Sequence, residues 1–161
     1  MGKRVLITES QAKLLMEEID KNDSIQKLIF SEPSSIKFVA TNDVPDNVSV
    51  SNKAYRITPV IDGKKIDSKF VELFAIPKVI GNEEYFQILI NVSSEIRRLG
   101  IAEKLLTSFI MNGYSVCYLF DGTDIAMSNL WKKVSKDGRI KVSGLYNKGG
   151  ELIGVKARCR E

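Results

Sequence analysis

The stretch from Val92 to Leu106, VSSEIRRLGIAEKLL, decides how the chain is read. Before it, Tyr85–Val92 is apolar and built from strand-forming residues. After it, Ile101, Leu105 and Phe109 recur at helical spacing, and Gly113 is a natural C-terminal cap. Between them stand Arg97, Arg98 and Gly100, where a strand hands over to a helix. The first turn of a helix leaves several backbone N–H groups unpaired, and their dipoles favour negative charge. Such an end binds phosphate when small side chains leave the backbone uncovered. Gly100 and Ala102 provide that, and the two arginines add cationic donors. The residues alone leave two readings open. One is a turn that cradles an anion, best suited to a diphosphate. The other is a glycine fitted to a tight turn beside solvated arginines.

Outward from this junction, the period of the pattern assigns the elements. Lys3–Ile7 reads as a short strand, and Thr8 with Gln11 has capping-box spacing for a helix bearing Ala12, Leu15, Met16 and Ile19. Ile25, Leu28 and Ile29 suit a short helix or a strand. Ser31 to Asn52 is rich in Ser, Pro, Asn and Asp and reads as loop with one strand at Lys37–Ala40. From Tyr55 the period becomes two. Tyr55–Ile61, a turn at Asp62-Gly63, an arm running through Phe70–Ile76, a turn at Gly81-Asn82 and Tyr85–Val92 form an antiparallel meander. After the junction helix comes the strand Ser115–Phe120, which a crossover would set parallel to Tyr85–Val92. A loop at Asp121–Asp124, a helix over Ile125–Val134 and a closing hairpin of Lys141–Tyr146 with Glu151–Arg158 complete the order. The fold class expected is mixed α/β: a central mixed sheet of about six to seven strands, antiparallel at both ends and parallel in the middle.

Composition narrows the chemistry. At 161 residues the chain suits a single domain over 1–161. No apolar run approaches the roughly 20 residues that span a bilayer. The N-terminus carries only a three-residue apolar run, so it does not read as a signal peptide, and Leu6 stands where myristoylation needs Ser or Thr. The expectation is a cytoplasmic protein with no membrane partner. Cys117 and Cys159 read as two small buried thiols. Histidine is absent altogether. That removes the commonest general base, the Ser-His and Cys-His pairs and histidine-based metal sites. Proton transfer falls to carboxylates, Tyr, Cys, Lys or water. The net charge of +4 is interleaved with acids and lacks an aromatic stripe, which argues against nucleic acid as a partner.

Arg97-Arg98-Leu99-Gly100-Ile101-Ala102 resembles motif A of the GNAT N-acetyltransferase superfamily, Arg/Gln-x-x-Gly-x-Gly/Ala, with a strand before it and an amphipathic helix after it. The resemblance spans about Tyr55 to Arg158. It implies an N-acyltransferase that moves an acetyl group from acetyl-CoA to a primary amine by direct attack. The diphosphate would rest on the amides of Arg98 to Ala102, with Arg97 beside them. Pantetheine would run along the end of the strand at Ile90, Asn91 and Val92. Catalysis would be mainly positioning and electrostatics, which needs no histidine.

The family often places a Tyr in the second helix as acid toward the leaving thiolate. Trp131 stands there and cannot release a proton, so it is a cofactor contact or a core aromatic. The Asn that often leads this helix corresponds to Asp124, which reads as an N-cap. Tyr114 or Tyr118 could replace the acid, and Tyr118 is the one carried forward. Glu72, alternating with Val71 and Leu73 in the neighbouring strand, is the candidate base. The acceptor would be a small-molecule or peptide amine, and a homodimer is left open. The alternative is a catalytically inactive binding or structural module of the same fold. The opening Leu6–Gln11 keeps that in play, because it resembles the starts of small phage-encoded proteins.

Overall fold

Alternating side chains build a sheet with one strongly apolar face. Along Tyr55–Ile61 the residues Ile57 and Ile61 turn inward, and along Val71–Ile80 Val71, Leu73 and Ala75 do so. The computed structural model describes residues 25–45, 53–120 and 125–160, with the backbone alone for Arg98. Residues 25–30 form a helix (α1), followed by a 3-10 turn at Pro33–Ser35. The strands are β1 (Lys37–Thr41), β2 (Tyr55–Ile61), β3 (Lys64–Lys65), β4 (Val71–Ile80) and β5 (Glu83–Val92). A 3-10 helix at Ser94–Leu99 leads into α2 (Ile101–Met111). Then come β6 (Val116–Leu119), α3 (Ile125–Val134), β7 (Ile140–Tyr146) and β8 (Leu152–Cys159).

One eight-stranded sheet has the order β1-β2-β4-β5-β6-β8-β7, with β3 beside β2. Every pairing is antiparallel except β5 with β6. The expected meander, central parallel pair with crossover helix and closing hairpin are all present. The strand count exceeds the expected one because the arm after Asp62-Gly63 is broken into β3 and β4. Between them the Asp67 carboxylate accepts the Lys69 amide at 2.9 Å, and its carbonyl accepts the Phe70 amide at 3.0 Å, making a local turn. Ile25 and Leu28 take the helical of their two options. The proposed Lys3–Ile7 strand, the helix capped by Thr8 and the Asp121–Asp124 loop lie outside the described residues.

α2 and α3 pack on the same face. Leu106, Phe109 and Ile110 of α2 meet Leu130, Trp131 and Val134 of α3 over Ile57, Leu73, Ala75, Ile88, Val116 and Ala157. A second cluster joins Ile25 and Leu28 of α1 to Ile61, Ile66, Val71, Ile96, Ile101 and Leu105. The Ile101, Leu105, Phe109 stripe read from sequence is therefore buried, each side chain contributing about 1.5–3 kcal/mol relative to exposure. Asn112 ends α2 by donating to the Ile36 carbonyl at 2.8 Å. Among the described residues no helix joins the small cluster on the opposite face, made by Tyr85, Cys117 and Leu145. No described helix is long and apolar enough to cross a membrane. Cys117 is buried as expected, but Cys159 is only half-buried and lies 3.7 Å from the Met111 sulfur.

Pro77 sits inside β4, opposite Phe86. The ladder of β4 with β2 ends at Ala75 with Tyr55, so the donor that proline lacks would face a side where no described strand pairs.

Gly154 of β8 lies where the sheet has no room. A Cβ there would approach the Tyr118 carbonyl oxygen to 2.3 Å and the Leu119 Cα to 3.1 Å. Gly154→Ala is expected to cost about 1–3 kcal/mol or more in urea unfolding. Gly138→Ala, with open space around it, should cost nothing measurable. An unchanged midpoint for Gly154→Ala would contradict the β6–β8 pairing.

Candidate functional site

The parallel ladder is short. Phe86 pairs with Val116 and Gln87 with Cys117, and there it stops. Beyond it β5 continues from Ile88 to Val92 with β4 as its ladder partner, while β6 turns to β8. The two parallel strands therefore diverge toward their C-terminal ends. The Phe86 amide donates to the Ser115 carbonyl at 2.9 Å, so by alternation the backbone groups of Ile90 and Val92 face the opening. Ile90 and Val92 are half-buried and Asn91 is exposed. Among the described residues no strand pairs with the Ile90 and Val92 backbone on that side, in the wedge between β5 and β6.

The junction is more than a turn from strand to helix. Ser94–Leu99 curls into a 3-10 helix because Ile96 is buried against Ile101 and Leu105. Ser93 is fixed by donating to the Phe70 carbonyl at 2.8 Å. In a 3-10 helix each N–H points to the carbonyl three residues back, and Ile96 to Ser93 at 3.0 Å opens that series. The amides of Arg98 and Leu99 fall within it. Those of Ile101 and Ala102 precede the first α-helical bond, Lys104 N–H to Gly100 C=O at 3.1 Å. Gly100 has φ 74°, a left-handed conformation that lets the 3-10 helix pass directly into α2. Leu99 and Gly100 are exposed, Ala102 is half-buried and Ile101 is fully buried. Arg97 is exposed, and its Nε donates to the Val92 carbonyl at 3.0 Å. One carbonyl at the lip of the wedge is thus already engaged by the arginine of the motif.

The two residues assigned to proton transfer are not brought together. Glu72 pairs with Asn91 and turns to the face without described helices. It does not sit among apolar groups alone, since Arg56 of β2 donates to its carboxylate at 3.0 Å. The Arg56 side chain also lies 5.0 Å over the Phe74 ring and reaches the Asp43 carbonyl at 2.9 Å. Tyr118 shares the helical face with Val116 and stacks on Trp131 at 6.0 Å. Trp131 is 6% exposed and belongs to the core under the sheet. Arg56 is the residue that the sequence reading missed. Its place between Tyr55 and Ile57 puts it on the polar face, but only the β2–β4 register shows that it meets Glu72.

A groove of about 350 Å³ runs along the outer flank of α2 from Gly100. Glu32, Glu103 and Asp137 line it together with Lys104 and Arg139. An acid-rich groove of this kind does not suit a diphosphate. The anion reading therefore belongs to the flank turned toward Val92 and Arg97. Asp137 is itself committed, accepting from the Arg139 amide at 2.9 Å and from its guanidinium at 2.7 and 3.0 Å.

The Arg56–Glu72 pair is partly exposed, so a double-mutant cycle with Arg56→Gln and Glu72→Gln should return a coupling of roughly 0.5–1 kcal/mol in urea unfolding. Arg139 holds the Asp137 carboxyl below its ordinary value of 3.8. The stability it contributes is full above that value and fades as the pH falls through the lowered one. Asp137→Asn should accordingly flatten the acid side of the melting-temperature profile, and a parallel downward shift at every pH would contradict this. Comparison with known proteins adds no identification: no family model, no curated protein and no solved structure matches the chain.

Proposed function

We propose that the chain is an N-acyltransferase that uses acetyl-CoA and a primary amine. The observation that carries this reading is the two-residue ladder between β5 and β6, with the Gly100 junction at the end where the strands part. Pantetheine lies along Ile90 and Val92 as an added strand, and the diphosphate meets the Ile101 and Ala102 amides and the Arg97 side chain. The amine nitrogen attacks the thioester carbonyl, the C–S bond breaks, and the thiolate leaves. The amine's proton passes to water or to Glu72, which must first loosen its contact with Arg56. Tyr118 is the candidate to return a proton to sulfur. The reaction belongs in the cytoplasm, on a small-molecule or peptide amine.

A second reading, a coenzyme-binding module without turnover, is favoured by the Arg56–Glu72 pair and by the opposite facing of Glu72 and Tyr118. One experiment separates these. Acetyl-CoA at a hundred times its Kd should stabilise the wild type by about 2.7 kcal/mol. Gly100→Glu will melt lower by itself, since φ 74° strains any side chain there. The readout is therefore the ligand-dependent difference within each protein, which should vanish in Gly100→Glu. Release of free thiol on adding amines reports turnover. A shift without thiol release selects the module, and no shift in the wild type removes both readings.

A further inference from the structure

β6 is overrun at its beginning as well as at its end. Its first pairs are Val116 with Phe86 on one side and with Ala157 on the other. Glu83–Tyr85 of β5 and Arg158–Cys159 of β8 extend past that point with no described strand between them. The notch so formed is a cavity of about 280 Å³. It lies about 16 Å along β5 from Ile90, at roughly 3.3 Å per residue, and is separate from the wedge.

The charges around the notch do not balance locally. Lys141 is directly opposite Arg158, and Ser143 is directly opposite Lys156. Like charges facing across a ladder destabilise it. Lys156 is matched, its ammonium lying 3.5 Å from the Glu83 carboxylate and 5.8 Å over the Tyr85 ring. The Tyr85 hydroxyl donates to the same carboxylate, and with Lys156 and, least, Arg158 it holds Glu83 below the usual carboxylate range. Glu83 is therefore ionised and already answered. Lys141 and Arg158 form no ion pair among the described residues.

We propose that this notch binds a small phosphomonoester, with the phosphate between Lys141 and Arg158 and the Ser143 hydroxyl as a further donor. Two cations without a close ion pair among the described residues suit a group carrying nearly two negative charges at neutral pH. The guanidinium fork matches phosphate oxygens in pairs. The cavity continues to Ser115 and Tyr85, which gives the organic part of the ester a place. Glu84, which also lines the cavity, disfavours a second phosphate and hence a polyanion. The inference does not rest on the acyltransferase reading.

The test is an amide NMR titration of the full chain at low ionic strength, with phenyl phosphate and inorganic phosphate as probes and chloride as control. Saturable shifts are expected at residues 83–85, 115, 141–143 and 156–158, with phenyl phosphate the tighter ligand. Lys141→Gln and Arg158→Gln should each weaken binding roughly tenfold or more. Without ligand, both variants should melt no lower than wild type, because each relieves the opposed pair. Variants that melt lower would mark the cations as structural and overturn the proposal. So would absent saturation in the wild type, or equal binding by the double variant. Displacement by a single-stranded oligonucleotide with steep salt dependence would also overturn it, reassigning the cations to nucleic acid.

Discussion

The length of β6 is the constraint on which the rest of the molecule depends. It is four residues long, between strands of ten and eight. Val116 and Cys117 are almost wholly buried, on opposite faces, so the strand is held by an apolar cluster on each side of the sheet. Being short, it cannot cover its neighbours. The sheet consequently parts at both ends of β6, and the two openings differ in chemistry. One lies beside the start of α2, lined by backbone and Arg97. The other is lined by charged side chains of both signs, Lys141, Lys156 and Arg158 against Glu83 and Glu84, with Ser143 and Tyr85. A single strand sets the positions of both.

Much of this architecture is legible in the sequence because periodicity reports burial. The switch from period two along Tyr55–Val92 to helical spacing at Ile101, Leu105 and Phe109 marks a change of element, and the core uses those side chains. The turns at Asp62-Gly63 and Gly81-Asn82 fall where backbone demands of hairpins put them. The 3-10 helix at Ser94–Leu99 was not legible. Its cause is tertiary: Ile96 reaches a cluster assembled from α1, β2, β4 and α2. The break between β3 and β4 depends likewise on a local Asp67 turn inside a segment that alternates well enough to be one strand.

The site is less legible than the fold, for a related reason. Local sequence shows which face a side chain takes, but not what register sets against it. Glu72 and Arg56 are each plain polar residues of a strand until the β2–β4 ladder makes them partners. Lys141 and Arg158 are ordinary surface cations until the β7–β8 ladder sets them face to face. Tyr118 and Glu72 look compatible as acid and base until parity puts them on opposite faces.

Pro77 has a consequence for the protein in company rather than alone. From Pro77 to Ile80, β4 runs beyond its β2 partner, and no described strand pairs with its row of backbone on that side, where Val79 is 69% exposed. Such a row is a template on which another chain can add a strand. The pyrrolidine ring deletes a donor from that row, and Lys78 brings a charge next to it. Together they make that row a poorer template for an added strand, even with Val79 exposed beside them.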